Sequence, residues 1–307
     1  MKIRLGVKSD PIESRYSFDW LFGIMAEHRV DRLQMGSSFS MFTADEGWFK
    51  RLRKTAEAKG IRIASVFTSH REMSGWGSGD PSLEATARAG WERLIRVAAL
   101  VGAESAGSSA GIVLRDQPER QARGLECFFS NMKDLMRTAR REGLLTITIE
   151  PMSSVWEYPS TPEQIREVTS VFDSAHAAEP HNTVPLYFCG DISHGVADAE
   201  RRVVNDNWTM FELEIPWMWE FHFKNTDSIF NSTFGFGPAE RGRGIVDLGR
   251  LRELLARNAS RFPSDDVTGY LELPGPKLGR EYTDSLLRGE LEESLAALRA
   301  EFPEQAP

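Results

Sequence analysis

The sequence contains little cysteine, no long hydrophobic run and no excess of positive charge. Its 307 residues include two cysteines, Cys127 and Cys189, which are too few for a disulfide framework or a thiolate zinc site. No segment approaches the roughly 18 consecutive apolar residues of a membrane-spanning helix, and the first residues lack the apolar core of a signal peptide. The formal net charge of −8 argues against nucleic-acid binding through phosphate contacts. We therefore expect a cytoplasmic protein that has neither a membrane nor a nucleic acid as its partner.

The chain instead alternates short apolar runs with longer amphipathic segments. Segment 45–58 ends at Lys59-Gly60, a typical helix stop, and Thr161-Pro162 begins another helix with a cap and a first-turn proline. Strands that alternate with helices pair in parallel through right-handed crossovers. Eight such units favour a (β/α)8 barrel, or TIM barrel, over an open sheet, and we expect this α/β fold to form a single domain over residues 1–307. The predicted strands are 3–7, 32–36, 61–68, 104–108, 144–150, 186–191, 219–224 and 268–273.

Two of these elements carry weak signals, namely the fourth strand and the helix after the sixth strand. The chain closes with a predicted amphipathic helix over about 283–301. The longest predicted loop, 225–244, is rich in Gly, Phe and Arg. Because loops of this length often serve as lids or binding loops, we expect it to lie near a ligand site.

Charged residues stand where four consecutive predicted strands end. Glu150 and Asp191 close the fifth and sixth strands, while His222 and Glu272 lie near the ends of the seventh and eighth. The carboxyl ends of barrel strands meet at one rim, where active sites form. Three carboxylates meeting there would repel one another unless a cation neutralised them. Because the set is rich in oxygen and has one imidazole, it suits Mg²⁺, Mn²⁺ or Co²⁺, and we predict that all four residues are metal ligands.

The motifs around these residues resemble those of a known superfamily. The likeness is to the xylose-isomerase-like TIM barrels, the sugar phosphate isomerase/epimerase superfamily, and within it to the ketose 3-epimerases. It follows the strand order along the whole chain and is specific for the superfamily rather than for one substrate. The motifs read Thr-Ile-Glu150-Pro, Cys-Gly-Asp191-Ile-Ser-His194, Glu-Phe-His222-Phe-Lys-Asn-Thr-Asp and Gly-Tyr-Leu-Glu272.

This resemblance implies one divalent metal ion and no organic cofactor. In ketose 3-epimerases the ion is held by Glu, Asp, His and Glu from strands five to eight, which correspond here to Glu150, Asp191, His222 and Glu272. The two glutamates also act there as the catalytic acid/base pair, and the residue matching His194 contacts the substrate. Relatives are often dimers or tetramers, so the resemblance is compatible with a homodimer or a homotetramer.

The resemblance also implies a substrate-binding arginine after strand seven, and the chain departs from the family at this point. No arginine lies within six residues of His222; the next ones along the chain are Arg241 and Arg243. These two could form an anion clamp, because guanidinium groups suit phosphate oxygens. By position, His70 after the third strand and Lys8 after the first are further candidates for substrate binding, Lys8 for a phosphate or carboxylate.

The implied reaction begins next to a ketose carbonyl that the metal polarises as a Lewis acid. One glutamate removes the adjacent proton to give a cis-enediolate, and for epimerisation the other returns a proton to the same carbon from the opposite face. We therefore expect an isomerase that epimerises a ketose or a short ketose phosphate at C3. Its partner would be a small sugar or sugar phosphate, for example a tetrulose phosphate such as erythrulose phosphate.

Aldose–ketose isomerisation shares the enediol with epimerisation, and the residues alone do not choose between the two. An aldose–ketose isomerase returns the proton to the neighbouring carbon, and a dehydratase or oxidoisomerase acts on a sugar acid. A non-catalytic sugar-binding barrel is disfavoured because all four ligand residues are present. An AP-endonuclease-type DNA-repair enzyme is disfavoured because it needs three zinc ions with further His and Asp ligands, and because the net charge is −8.

Overall fold

Eight parallel strands close into a barrel in the computed structural model, which describes residues 1–13, 15–112, 114–275 and 285–303. Consecutive strands are neighbours in the ring, and β1 pairs with both β2 and β8, which closes it. The predicted (β/α)8 fold class is therefore confirmed. The strands are β1 (Lys2–Lys8), β2 (Arg32–Met35), β3 (Arg62–Thr68), β4 (Ser105–Ser109), β5 (Thr146–Glu150), β6 (Leu186–Asp191), β7 (Met218–Phe223) and β8 (Asp266–Leu271).

One main helix follows each strand. The third is typical: the side chain of Asp80 accepts a hydrogen bond from the backbone N–H of Ser82, and the helix ends at Gly102, whose φ of 77° is a left-handed conformation that glycine tolerates. In the described part of the chain, no helix has the length and apolar composition that a membrane span requires. The helices are α1 (Phe18–Glu27), α2 (Glu46–Ala58), α3 (Pro81–Val101), α4 (Gln121–Glu142), α5 (Pro162–Ala178), α6 (Asn207–Glu214), α7 (Leu248–Arg257) and α8 (Leu287–Glu301).

Shorter elements lie between these strands and helices. An antiparallel ribbon follows β6, and a second two-stranded pair joins the segments after β4 and β5. The remaining described elements are short helices. The ribbon pairs Val196–Ala197 with Val203–Asn205, the second pair joins Gly111–Ile112 to Glu157–Tyr158, the short α-helices are Ser40–Thr43 and Pro238–Arg241, and the 3-10 helices are Asp10–Ile12, Arg71–Ser78, Pro118–Arg120, Ile215–Trp217 and Ala259–Arg261.

The apolar face of each main helix packs against the barrel. On α3, the side chains of Leu94, Val97, Ala98 and Val101 recur at helical spacing, and each is at most 2% exposed. They belong to one hydrophobic core that includes residues of every barrel strand, with Ala106 as the contribution of β4. This packing holds the strands in position, and the polar side chains of the site lie at the carboxyl ends of these strands.

The predicted strands agree with the structure to within two residues at every end. The weakly signalled fourth strand is β4, and the weakly signalled helix is α6, which follows the ribbon at 196–205. The predicted loop 225–244 is partly regular, because it contains the short helix Pro238–Arg241 and a β-bridge between Asn225 and Phe234. The predicted start of the last helix, at 283–284, lies outside the described residues, and α8 begins at Leu287.

A polar layer fills the barrel interior below the carboxyl rim. Glu220 of β7 is 2% exposed, and its carboxyl oxygens accept hydrogen bonds from the hydroxyls of Ser65, Ser105 and Thr148 at 3.0–3.3 Å. Burial raises the pKa of Glu220, while these hydroxyls oppose the shift. One carboxyl group is thus held by hydroxyls from β3, β4 and β5, two residues before His222 on the same strand.

Candidate metal centre and active site

The carboxyl ends of β5 to β8 bring four side chains into one cluster. Glu150 ends β5, Asp191 ends β6, His222 lies in β7 and Glu272 follows β8. One ligand atom from each residue lies within 4.8 Å of the corresponding atoms of the others. The first three residues are at most 4% exposed, and the side chain of Glu272 is 15% exposed. The structure therefore brings all four predicted metal ligands together at the rim.

The imidazole of His222 turns one nitrogen toward the carboxylates. Its Nδ1 lies 2.9 Å from Oε1 of Glu150 and 3.0 Å from Oε2 of Glu272. Its Nε2 donates a hydrogen bond to Oε1 of Gln34 at 2.8 Å, so in the neutral ring the lone pair is on Nδ1. Metal-binding histidines usually have their other ring nitrogen held in this way. Three carboxylates and one imidazole lone pair form a donor set that fits a divalent cation such as Mg²⁺, Mn²⁺ or Co²⁺.

Two lysines bind the two oxygens of Glu272. Lys8, at the end of β1, places its Nζ 2.9 Å from Oε2 of Glu272 and 3.1 Å from Oδ2 of Asp10. Lys224, directly after β7, places its Nζ 3.3 Å from Oε1 of Glu272 and 2.8 Å from Oδ2 of Asp191. Each oxygen of Glu272 therefore has an ammonium partner.

Neighbouring positive charges decide the charge state of the two glutamates. Burial raises the pKa of Glu272, but the positive charges of Lys224 and Lys8 outweigh burial and hold that pKa well below its usual range. Burial acts in the same direction on Glu150, but the positive charge of His222 in its protonated form and its hydrogen bond outweigh burial, so the pKa of Glu150 is also lowered. Both glutamates are consequently carboxylates at neutral pH, the form that binds a metal and accepts a proton.

His194, the predicted substrate contact of the Asp-x-x-His motif, lies beside the cluster. Its Nδ1 donates a hydrogen bond to the carbonyl oxygen of Pro151 at 2.7 Å. Its Nε2 lies 3.2 Å from Nζ of Lys224 and 3.2 Å from Oδ2 of Asp191. Both ring nitrogens thus have partners within the protein, and a contact between His194 and a substrate stays a prediction.

The other predicted substrate contacts lie in different surroundings. Lys8 reaches the cluster through Glu272. Among the contacts of the described residues, no hydrogen bond or ion pair joins His70, Arg241 or Arg243 to the four ligands. His70 lines a cavity of about 600 Å³ beside α3, Arg243 stacks on the ring of Phe234 at 4.5 Å, and Arg241 lines a surface groove between α7 and α8. Their roles in substrate binding stay predictions.

Sequence reasoning missed three polar residues that support the cluster. Lys224 stands at the end of a predicted strand, so the rule that selected the four ligands applies to it, but a lysine does not bind metal. Gln34 interrupts the apolar run of β2, and this polar residue within a predicted strand is a signal present in the sequence. The structure shows that Gln34 is fully buried. Asp10 holds Lys8, and the local sequence Lys-Ser-Asp gives no sign of that ion pair.

Comparison with solved structures shows the same fold at low sequence identity. A candidate xylose isomerase from Rhodospirillum rubrum is 18% identical, with a TM-score of 0.78 over 99% of this chain and 100% of that one. D-Psicose 3-epimerase from Clostridium cellulolyticum, solved with D-tagatose, is 14% identical, with a TM-score of 0.70 over 97% and 99% of the two chains. A candidate 3-DHS dehydratase from Bacillus anthracis is 12% identical, with a TM-score of 0.64 over 96% and 98%.

The sequence itself matches one family model and no curated protein. The model is described as xylose isomerase-like TIM barrel, and it matches residues 26–265. This range covers more than half of the chain and includes β2 to β7, and thus three of the four clustered side chains. The chain belongs to the xylose isomerase-like TIM barrel family.

Proposed function

We propose that this protein is a divalent-metal-dependent isomerase that epimerises a ketose or a short ketose phosphate at C3. The supporting observation is the placement of Glu150 and Glu272, which approach Nδ1 of His222 at 2.9 and 3.0 Å. They reach that point from β5 and β8, which are not neighbours in the ring. A substrate bound between them would meet a carboxylate on each side, as inversion of a C–H centre requires.

The ligand residues are held in place by their own hydrogen bonds. Gln34 accepts the Nε2–H of His222 at 2.8 Å, and Lys224 donates to Oδ2 of Asp191 at 2.8 Å. A divalent cation bound by the four ligands would supply Lewis-acid polarisation of the substrate carbonyl, which makes the adjacent C–H more acidic.

The two glutamates would carry out the proton transfers. Glu150 removes the proton at C3 of the ketose to leave a cis-enediolate. Glu272, whose side chain is 15% exposed, takes up a proton from solvent and passes it to the same carbon from the other side. General acid/base catalysis of this kind contributes roughly 10²–10⁴-fold to a rate. Lys8 and Lys224 neutralise part of the negative charge at Glu272, which allows two glutamates to stand close to one substrate.

Incubation in D₂O with a panel of ketoses, ketose phosphates and sugar acids tests this proposal. The enzyme is loaded with Mn²⁺, Mg²⁺ or Co²⁺, and a chelator-treated sample and a Glu150→Gln variant serve as controls. We expect deuterium at C3 together with inversion at that carbon, and we expect neither in the two controls. The products are identified by NMR and mass spectrometry.

The same experiment separates the alternatives. Deuterium in an aldose product would show that the enzyme is an aldose–ketose isomerase and not an epimerase. Loss of water from a sugar acid would show that it is a dehydratase. Unchanged turnover after complete metal removal would contradict the metal-dependent reaction altogether. Turnover confined to phosphorylated ketoses would show that the substrate is a ketose phosphate.

A further inference from the structure

Lys224 is a cation that lies among the ligand residues from β6 to β8. Its Nζ lies 2.8 Å from Oδ2 of Asp191, 3.2 Å from Nε2 of His194 and 3.3 Å from Oε1 of Glu272. An ammonium group has three N–H donors, so these three contacts use all of them. The side chain is 12% exposed, and it is attached directly after β7. The ammonium is therefore a fixed positive charge with no donor left over.

The three acceptors around Nζ are those that a divalent metal ion would take. Asp191 and Glu272 offer carboxylate oxygens, and His194 offers a ring nitrogen. Nδ1 of His194 donates to the carbonyl of Pro151 at 2.7 Å, so the lone pair of the neutral ring is on Nε2, toward Lys224. A histidine whose other nitrogen donates to a backbone carbonyl is oriented as metal-binding histidines are.

Two of these residues also belong to the cluster proposed to bind the first ion. Glu272 turns Oε2 toward Nδ1 of His222 at 3.0 Å and Oε1 toward Lys224 at 3.3 Å. Oδ2 of Asp191 lies 3.8 Å from Nδ1 of His222 and 2.8 Å from Lys224. Carboxylates shared in this way are typical of sites that hold two metal ions about 3.5–4 Å apart. Here one of the two positions contains a lysine nitrogen.

We infer that Lys224 occupies the second cation position of a two-cation site, and that it thereby limits this protein to one divalent ion. This inference rests on the proposed metal-dependent function. The formal charges agree with it: one divalent ion and Lys224 together balance the three carboxylates of Glu150, Asp191 and Glu272. Lys8 and Asp10, which form their own ion pair at 3.1 Å, balance each other.

Metal stoichiometry tests this assignment directly. Wild type, Lys224→Met, Lys224→Gln and the double variant Lys224→Met/His194→Ala are purified in the presence of Mn²⁺ and freed of excess ion. Bound manganese per chain is measured by mass spectrometry, and the Mn²⁺ EPR spectrum reports whether two ions are spin-coupled. Lys8→Met is the matched control, because it removes the other ammonium on Glu272 but leaves the acceptors around Lys224 intact.

We expect about one ion per chain in wild type and about two in both Lys224 variants, with a spin-coupled EPR signal in the latter. The double variant should return to about one ion, because the second position loses its nitrogen ligand, and Lys8→Met should stay at one. Two ions in wild type, or one ion with unchanged EPR in both Lys224 variants, would overturn the inference while leaving the proposed function standing. No bound ion in wild type would overturn the proposed function and the inference with it.

Discussion

Gln34 accepts a hydrogen bond from His222, with 2.8 Å between Oε1 and Nε2. The two residues lie on β2 and β7, on different sides of the ring. Gln34 is fully buried and donates its own amide N–H to Oγ of Ser65 at 3.2 Å. That second bond sets which end of the amide faces His222. The ring is thereby held with Nδ1 toward the carboxylates.

Replacing Gln34 by leucine should weaken metal binding. Without an acceptor for the Nε2–H, the ring of His222 loses its fixed orientation and tautomer, and loss of such a partner typically lowers metal affinity 10–100-fold. Titration calorimetry of the metal-free protein with Mn²⁺ measures the change. Ser65→Ala is the comparison, since it keeps the acceptor of His222 and removes the hydroxyl that orients Gln34 and donates to Glu220. Equal affinity of Gln34→Leu and wild type would show that the hydrogen bond does not matter for the site.

The variants Glu150→Gln and Glu272→Gln should each lower kcat by about 10²–10⁴-fold, because each removes one carboxylate of the proposed acid/base pair. Exchange of the C3 hydrogen in D₂O should be lost in both. Glu220→Gln is a suitable control, because Glu220 is a buried carboxyl two residues from His222 that contacts hydroxyl groups. If Glu220→Gln reduced the rate as strongly as the other two variants, the losses would reflect damage to the barrel.

Lys8→Met should destabilise the metal-free protein by about 3 kcal/mol, which is the lower end of the range found when one partner of a buried ion pair is removed. Lys8 is 2% exposed, and its removal leaves Asp10 and Glu272 without their shared cation. Urea unfolding with chelator, and then with Mn²⁺, measures the loss and its partial recovery, because a bound ion also neutralises Glu272. Arg4→Met is the matched control for Lys8→Met. Arg4 lies on the same strand and pairs with the half-exposed Asp266, so its removal should cost under about 1 kcal/mol.

Glu214→Gln should stabilise the protein, and more so at higher pH. Glu214 is 2% exposed and its Oε2 has no hydrogen-bond partner; burial, and then the charges of Asp191 and Glu150, raise its pKa well above 4.5. In the window above 4.5 the unfolded chain releases this proton and the folded chain keeps it. Wild-type stability therefore falls by roughly 1.4 kcal/mol per pH unit in that window relative to the variant.

Unfolding of wild type and Glu214→Gln at pH 5 and at pH 8 isolates this effect, because the remaining groups titrate alike in both proteins. The stability difference should grow toward pH 8. A difference that stays constant would mean that Glu214 is ionised in the folded protein.

The strand order, and the meeting of Glu150, Asp191, His222 and Glu272 at one rim, could be predicted from sequence because both depend on local signals. The run Thr-Ile-Thr-Ile before Glu150 marks both a buried strand and its end, and the barrel then requires such ends to meet. No comparable signal exists for the ribbon at 196–205, which adds ten residues between β6 and α6. Its valines, Val203 and Val204, are exposed, so their apolar character does not mark a core strand.

The contacts of the site residues depend on distances across the ring and could not be read locally. Lys224 lies within the motif around His222, but its contacts to Asp191 and Glu272 join residues 33 positions apart or more. The predicted anion clamp is a further example. Arg241 and Arg243 are two positions apart in sequence, yet one lines a groove beside α8 and the other stacks on Phe234. Sequence spacing alone does not show which way a side chain in a loop turns.

The ion pair between Lys8 and Glu272 joins residues 264 positions apart, at the seam where β1 meets β8. Contacts of such large sequence separation require the longest loop closure in a folding chain and tend to form late. Until the seam closes, Glu272 lacks the ammonium of Lys8, and β8 does not yet pair with both of its neighbours, β7 and β1. A nascent or truncated chain therefore holds an incomplete set of ligands even if most of its helices have formed. For the proposed metal site, metal uptake and completion of the ring would then be one event.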